Sequence, residues 1–134
     1  MTLVVDASVA AKWVFQEEGS DRAATLRNSG DDFIAPSLIV AEIGNALWKR
    51  AVWKEVSVRD TVRALQNAVS VFTRLFPPSD LGVRAMEIAV ELRHPIYDCF
   101  YLALAEREQC GLITADARLI AAAKSVKSIE LRTL

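Results

Sequence analysis

Short apolar runs alternate with longer segments of helical periodicity along the chain. Apolar runs of a few residues, stopped by an acid, a proline or a turn residue, predict strands. They occur at residues 3–5, 33–35 and 111–114, and further strands are expected at 128–131 and within 69–76. Because short apolar strands alternate with helices, the pattern predicts an α/β fold with a parallel sheet and helices on both faces.

The intervening segments have the spacing and boundary residues of helices. Gly19 and Ser20 mark the start of one helix, Ser57 with Asp60 forms a capping arrangement for another, and Ser79 is expected to cap a third. The predicted helices cover residues 7–15, 20–28, 37–53, 57 to about 69, 79 to about 92, 97–108 and 117–124. In a sheet of this kind, functional residues gather beyond the carboxyl ends of the strands.

Composition and charge narrow the class of protein. The chain has 134 residues, 52% hydrophobic and 25% charged, which predicts a single domain spanning 1–134 with one buried core rather than a disordered chain. The net charge of −1 excludes a nucleic-acid binder that works by bulk positive charge, but it leaves a local basic groove open. No apolar run is long enough for a membrane helix and no basic leader precedes the first strand, so a cytoplasmic protein is expected.

The few histidine and cysteine residues limit the available chemistry. His94 is the only histidine, which excludes a three-histidine zinc site and a ribonuclease built on a histidine pair. It precedes Pro95 and is expected in a loop. Cys99 and Cys110 would lie about 16 Å apart along a helix. A disulfide needs less than about 7 Å, so both are predicted to be free thiols.

Four carboxylates stand at positions that suit a functional site. Asp6 and Asp116 come just after predicted strands, Asp98 opens a helix, and Glu42 interrupts a helix that is apolar nearly all round. Each has an ordinary alternative, because the aspartates can cap helices and Glu42 can form a narrow solvated stripe with Asn45, one turn later. A buried carboxylate is costly unless it is paired or bound to a metal, so a functional interpretation stays open.

The predicted topology brings some of these acids together. Asp6 and Asp116 both follow strands of a parallel sheet, so they are expected to project into one crevice. Carboxylates about 5 Å apart at an effective dielectric of about 20 repel by roughly 3 kcal/mol per pair, and a cation relieves that repulsion. Hard oxygen ligands without histidine or thiolate select Mg²⁺ or Mn²⁺. The cluster therefore indicates metal-assisted phosphodiester chemistry.

Four segments, taken in order, carry a family resemblance. They are Val-Val-Asp-Ala-Ser at 4–8, Pro-Ser-Leu-Ile-Val-Ala-Glu-Ile-Gly-Asn at 36–45, Tyr-Asp leading to Ala-Leu-Ala at 97–105, and Leu-Ile-Thr-Ala-Asp at 112–116. This ordered set resembles the PIN-domain ribonucleases. In size and order it is similar to the VapC toxins of toxin–antitoxin pairs, and the similarity covers nearly the whole chain.

The resemblance implies a fold, an activity and a set of site residues. It implies a three-layer α/β/α sandwich around a parallel sheet, Mg²⁺- or Mn²⁺-dependent endoribonuclease activity on single-stranded regions of RNA, an antitoxin partner and a homodimer. By position, the catalytic and metal-binding quartet would be Asp6, Glu42, Asp98 and Asp116, with Ser8, Asn45 and Thr114 as polar support. Some family members carry a further acid just after the last one, where this sequence has Arg118.

Three cations are candidates for contacts with RNA phosphates. Lys12 and Lys49 lie one and two helical turns beyond residues of the expected site, and Arg118 closely follows its last aspartate. They are predicted to rim the acidic pocket, with ordinary solvated charge as the alternative.

Aromatic residues near the end of the long helix are candidates for a partner contact. Trp48 and Trp53, with Trp13 and Phe15 on the first helix, either belong to the core or line an apolar groove for a partner chain. Trp48 and Trp53 are five residues apart, which places them about 140° apart around a helix. We expect Trp48, beside Leu47, to be core and Trp53 to be the exposed contact.

Other functions remain open at this point. A phosphotransfer domain with Asp6 as nucleophile would usually show Asp-x-Asp after the first strand, whereas Ser8 stands at the third position. A housekeeping PIN-like nuclease would carry the same residues as a toxin. A non-catalytic protein-interaction module of this fold has no need of four costly carboxylates. The leading hypothesis is a metal-dependent endoribonuclease, a hydrolase, of a toxin–antitoxin pair.

Overall fold

The centre of the structure is a five-stranded parallel sheet. The computed structural model describes residues 1–134. Its strands are β1 (Thr2–Val5), β2 (Asp32–Pro36), β3 (Phe72–Phe76), β4 (Gly111–Thr114) and β5 (Leu131–Thr133). The strand order is β3-β2-β1-β4-β5, and every neighbouring pair is parallel. The predicted parallel α/β sheet is therefore confirmed.

Seven helices flank the sheet. They are α1 (Ala7–Val14), α2 (Ser20–Arg27), α3 (Leu38–Lys54), α4 (Val58–Val69), α5 (Gly82–Leu92), α6 (Ile96–Glu108) and α7 (Ala117–Ala123). Helix α6 packs across β1, β2 and β4 and carries α5 on its other side, whereas α1 packs against α2, α3 and α4. The three-layer α/β/α architecture is confirmed. None of these helices combines the length and the apolar character needed to cross a membrane.

The core explains why the middle positions of the central strands are apolar. Val4, Val5 and Leu112 have no exposed surface, because helices cover these strands from both sides. Helix α6 is buried through its middle, and Tyr101 and Leu102 are at most 1% exposed. This helix is thus a rigid support for the side chains at its first turn.

The order of the strands creates a crevice between β1 and β4. From β1 the sheet grows through β2 to β3, and α5 and α6 then return the chain to β4 on the other side of β1. The carboxyl ends of β1 and β4 therefore flank the point at which the connections diverge, where parallel sheets form a crevice. Asp6 follows β1 at this point, and Thr114 ends β4.

Two strand boundaries differ from the sequence prediction. Strand β5 begins at Leu131 rather than at residue 128, because the chain first turns, with the Ile129 N–H donating to the Val126 carbonyl at 3.3 Å. Pro36 belongs to β2 instead of stopping it, because the next N–H, that of Ser37, donates to the Phe76 carbonyl at 2.7 Å and continues the pairing.

Helix starts match the prediction in one case and differ in another. The Ser57 hydroxyl accepts a hydrogen bond of 3.1 Å from the Asp60 N–H, as the capping arrangement predicts. Ser79 does not cap α5; it lies in a 3-10 turn that follows Pro77, and α5 begins only at Gly82. Proline fixes its own backbone angle and suits the first position of such a turn.

Both cysteines are free thiols, as predicted. Cys99 is buried in α6, and burial raises the pKa of its thiol to about 11. Cys110 is half-buried just before β4, and burial raises the pKa of that thiol as well. Neither thiol is poised to ionise near neutral pH.

Candidate active site

Asp6 lies at the carboxyl end of β1, where the chain turns into α1. Its Oδ1 accepts hydrogen bonds from the Ser8 hydroxyl (2.6 Å) and the Val9 N–H (3.3 Å), and its Oδ2 accepts one from the Thr114 hydroxyl (2.6 Å). The residue is only 4% exposed. Asp6 therefore caps α1 and lies in the crevice at the same time, because one carboxylate oxygen faces each element.

Glu42 lies near the start of α3 and is half-buried. Its Oε1 accepts a hydrogen bond of 2.6 Å from the Tyr101 hydroxyl of α6. The predicted alternative, a solvated stripe of Glu42 and Asn45, is not observed. Asn45 is exposed, but Glu42 is held by a tyrosine that is only 1% exposed.

Asp98 lies in the first turn of α6 and pairs with the only histidine. The Nε2 atom of His94 is 2.6 Å from Oδ2 of Asp98, and the histidine side chain is 10% exposed. An ionised carboxylate only accepts hydrogen bonds, so the ring nitrogen is the donor. His94 precedes α6 in a loop, as predicted, and its side chain is hydrogen-bonded to Asp98.

Asp6, Glu42 and Asp98 are close enough to affect one another's ionisation. Burial is the main cause that raises the pKa of Asp6, and Asp98 adds to it, while the hydrogen bonds from Ser8 and Thr114 act against it. Burial also raises the pKa of Glu42; the Tyr101 hydrogen bond lowers it, and Asp98 and Asp6 raise it further. The three carboxylates thus form one electrostatically coupled group.

Tyr101 is a permanent hydrogen-bond donor in this group. Burial first, and then the charge of Glu42, raise the pKa of its hydroxyl far above the ordinary value. The phenol therefore stays protonated at any physiological pH and fixes Glu42 towards the crevice.

Asp116 is connected to the group through β4 rather than by a direct contact. Its N–H donates to the Thr114 hydroxyl at 3.0 Å, and its Oδ1 accepts from the Arg118 N–H at 2.9 Å at the start of α7. The capping alternative is therefore realised for Asp116. Its carboxylate is half-buried at the rim of the crevice, two residues beyond Thr114.

The donor set of the crevice suits a hard divalent cation. Carboxylate oxygens are the ligands that Mg²⁺ and Mn²⁺ prefer, and no lysine or arginine forms a salt bridge with Asp6, Glu42 or Asp98. As the side chains stand, no three His, Cys, Asp or Glu residues form a group that could hold a metal ion together. Joint binding would therefore require these carboxylates to approach one another.

The predicted polar support residues have different surroundings. Ser8 donates to Asp6 and accepts a hydrogen bond of 2.9 Å from the Ala115 N–H, so it joins α1 to the chain after β4. Thr114 is fully buried between Asp6 and Asp116. Asn45 is exposed on α3 and lies outside this network.

The three cations predicted to bind RNA differ in exposure and in their contacts with the rest of the protein. The Lys12 ammonium donates to the Glu18 carbonyl at 2.7 Å and to the Glu17 carboxylate at 3.2 Å, and its side chain is 16% exposed. Lys49 and Arg118 are exposed. Lys12 therefore holds the loop after α1, although it also lines a cleft of about 270 Å³ beside Thr114.

The tryptophans correct one prediction. Trp48 is 60% exposed and is not core; Trp53 is 86% exposed, as expected. Helix α3 buries Ile39, Ile43 and Leu47, which form a stripe at intervals of four residues. Trp48 is one residue past that stripe and is rotated about 100° away from it.

Two aromatic residues at the end of α1 make different contacts. Trp13 packs against Phe33 and Phe72, with ring centroids 5.7 and 5.8 Å apart, and its indole N–H donates to the Ala23 carbonyl. Phe15 lies under the Arg50 guanidinium at 4.1 Å. Trp13 and Phe15 are both half-buried against the core, and Phe15 also borders the surface between α1 and α3.

Sequence reasoning missed Tyr101 and His94 as members of the site. Tyr101 lies on α6 three residues after Asp98, and His94 lies in the loop before α6, four residues before Asp98. For Tyr101 that spacing was a usable signal, because side chains three residues apart on a helix are neighbours.

Comparison with known proteins identifies a family model and relatives that cover most of the chain. A family model described as PIN domain matches residues 3–125. Ribonuclease VapC9 of Mycobacterium tuberculosis is 33% identical over 117 residues, which is 87% of each chain. Ribonuclease VapC3 of Pyrobaculum aerophilum is 31% identical over 121 residues, 89% of this chain and 92% of its own.

The fold also has a close structural counterpart. The crystal structure of VapBC2 from Rickettsia felis, bound to a DNA fragment from its promoter, superposes with a TM-score of 0.72 over 100% of this chain and 99% of the other. The sequences are 14% identical, so this similarity concerns the fold alone.

Proposed function

The chain belongs to the PIN-domain family, and on this premise we propose that it is a Mg²⁺- or Mn²⁺-dependent endoribonuclease that acts on single-stranded regions of RNA. The observation that carries the proposal is the group of Asp6, Glu42 and Asp98, whose negative charges lie together without a lysine or arginine partner. The relatives that bear the name ribonuclease support the choice of RNA.

In this proposal each residue of the site has a distinct role. Asp6, Glu42 and Asp98 would hold the cation, with Asp116 as the fourth acid at the rim. A bound Mg²⁺ or Mn²⁺ ion would supply an activated water and offset the charge of the phosphodiester. The hydroxyls of Ser8 and Thr114 fix Asp6, the Tyr101 phenol fixes Glu42, and the His94 ring fixes Asp98.

The chemistry is tested by the ends of the RNA products. Attack of water on phosphorus leaves a 5′-phosphate and a 3′-hydroxyl. We expect EDTA to stop cleavage of a labelled RNA and added Mn²⁺ or Mg²⁺ to restore it. A 2′,3′-cyclic phosphate product would contradict the proposal, because that product requires the ribose hydroxyl as the nucleophile.

The four acids are tested by isosteric substitution. Asp6→Asn, Glu42→Gln, Asp98→Asn and Asp116→Asn should each abolish cleavage while the protein still folds. Asn is as good a helix cap as Asp, so Asp116→Asn separates the two roles of this residue: lost cleavage with an unchanged melt indicates the site, and retained cleavage indicates a cap only. Glu91→Gln, on the exposed face of α5, is the matched control.

We further propose that the protein is the toxin of a toxin–antitoxin pair, forms a homodimer and acts in the cytoplasm. The VapC names of the relatives support the toxin assignment.

A growth test examines the toxin assignment. Induced expression of the wild type should arrest growth, and expression of Asp6→Asn should not. Co-expression of a short overlapping upstream reading frame should restore growth. Growth arrest that persists with Asp6→Asn, or a gene without such a neighbour, would favour a housekeeping nuclease or an interaction module. Sedimentation analysis tests the dimer.

A further inference from the structure

A cleft of about 560 Å³ runs between α1 and α3. Ala11 and Phe15 line it on one side, and Ala46, Lys49 and Trp53 line it on the other. We refer to it as the α1–α3 cleft. The roles assigned above to Asp6, Glu42 and Asp98 do not involve this cleft.

Two residues of the cleft lie on the face of α3 that also carries Glu42. Lys49 and Trp53 follow Glu42 by seven and eleven residues, which places them within about 20° of its direction around the helix axis and about 10 and 16 Å further along it. A linear ligand that lies along this face from Glu42 therefore meets Lys49 first and Trp53 next.

The charge of the cleft is predominantly positive. Lys49, Arg50 and Lys54 line it, and the Arg50 guanidinium is held 4.1 Å above the Phe15 ring. The one acid of the lining, Glu17, is already paired with the Lys12 ammonium at 3.2 Å. The positive side chains are thus available to a negatively charged ligand.

Trp53 supplies an aromatic surface within this positive cleft. Its side chain is 86% exposed. The packing of the monomer therefore does not explain why a large aromatic residue stands at this position. Single-stranded nucleic acids bind to surfaces that combine cations for the phosphates with aromatic rings on which bases stack.

The other exposed tryptophan of α3 has different surroundings. Trp48 lines a separate cleft with Val52, Val56, Val58 and Val62, in which no charged side chain takes part. An apolar partner chain fits that cleft, whereas phosphates fit the α1–α3 cleft. The two tryptophans therefore provide a contrast within one helix.

We propose that the α1–α3 cleft is the binding track for the single strand of RNA on one side of the cleaved bond, with Trp53 stacking on a base and Lys49 and Lys54 contacting phosphates. This inference rests on the proposed ribonuclease function and names the part of the protein that binds substrate beyond the reacting phosphate. The track ends about 16 Å from Glu42, so only substrates several nucleotides long would reach Trp53.

The binding test uses a fluorescein-labelled 12-nucleotide uridine-rich RNA in EDTA, so that affinity is measured without cleavage. Trp53→Ala should weaken binding roughly five- to 150-fold, the range of one stacked base, and Trp53→Phe should restore part of it. The double variant Lys49→Gln/Lys54→Gln should lower the slope of affinity against salt by about 1.4, because each single-strand phosphate contact contributes about 0.7. Trp48→Ala and Lys124→Gln/Lys127→Gln, at exposed positions outside the cleft, are the matched controls and should bind as the wild type does.

The kinetic test separates binding from chemistry. Trp53→Ala should raise KM for the 12-nucleotide RNA in Mn²⁺ and leave kcat within about twofold, since the lost contact is the same in the ground state and the transition state. Thermal melts of all variants should match the wild type, because Trp53, Lys49 and Lys54 are exposed.

Each outcome decides the inference. If the wild type cleaves RNA and Trp53→Ala binds and cleaves as well as the wild type does, the inference is wrong while the ribonuclease function stands. If Trp53→Ala loses self-association or antitoxin binding but keeps its RNA affinity, the cleft is a protein interface. If the wild type neither binds nor cleaves RNA in any divalent metal, the proposed function itself fails.

Discussion

The substitution Glu42→Gln tests the electrostatic interpretation of the crevice most directly. The glutamine oxygen can still accept the 2.6 Å hydrogen bond from the Tyr101 hydroxyl, so the change removes a charge and leaves the packing intact. Burial, Asp98 and Asp6 all disfavour that charge in the folded protein. Without metal, the variant should therefore be more stable than the wild type.

The size of the effect follows from the repulsion that is removed. Two carboxylates about 8 Å apart at an effective dielectric of about 20 repel by roughly 2 kcal/mol, and the half-exposed position of Glu42 reduces this through solvent screening. A gain of about 1 kcal/mol corresponds to an increase in Tm of roughly 4 °C for a domain of this size.

The assay is thermal unfolding in EDTA and in Mn²⁺, with Glu91→Gln as the control. In EDTA at neutral pH, Glu42→Gln should melt higher than the wild type; in Mn²⁺ it should lose most of the metal-dependent increase in Tm, together with RNA cleavage. The folded protein raises the pKa of Glu42 above its ordinary value of 4.5. The wild type is therefore destabilised above the folded pKa and recovers as the pH falls through it towards 4.5, so the advantage of Glu42→Gln should shrink over the same range.

Two results would refute this reasoning. A Glu42→Gln variant that melts lower than the wild type in EDTA would mean that the carboxylate stabilises the fold without metal. A variant that still gains stability from Mn²⁺ as the wild type does would mean that Glu42 takes no part in holding the ion.

Three further substitutions test residues around the acids. Tyr101→Phe should raise the Mn²⁺ concentration required for half-maximal cleavage by roughly 10- to 100-fold, as expected for a residue that orients a ligand; an unchanged metal requirement would assign Tyr101 to packing alone. His94→Gln should do the same through Asp98 and show most of its loss at low metal, whereas an equal loss at saturating Mn²⁺ would contradict a positioning role. Lys12→Ala should lower stability by about 1 kcal/mol through the lost contacts with Glu17 and Glu18. It should also reduce the salt slope of RNA binding by about 0.7; a lower melt with an unchanged slope would make Lys12 structural.

The sequence predicted the acids better than it predicted their surroundings. Asp6 was placed correctly because a residue that ends an apolar strand of a parallel sheet must lie at its carboxyl edge. The hydroxyl of Thr114 that holds it is 108 residues away along the chain. Only the pairing of β1 with β4 brings the two within hydrogen-bond distance.

Trp48 shows the limit of arguing from a neighbour in sequence. Its position next to the buried Leu47 suggested burial, but adjacent residues of a helix point about 100° apart. The start of α3 is apolar nearly all round, so the sequence did not show which face of the helix would meet the core. Packing against α1 and α4 set the buried face, and it left Trp48 exposed to solvent.

The sequence by itself determined the order of the elements, the parallel sheet, the free thiols and the place of Asp6 at the carboxyl edge of the sheet, because local periodicity and strand composition set these features. The tertiary structure alone decided that Tyr101 holds Glu42 from 59 residues away, and that Lys49 and Trp53 of α3 share a cleft with Ala11 of α1. These contacts depend on how helices cross one another and the sheet, and no pattern of residues along a single element encodes that geometry.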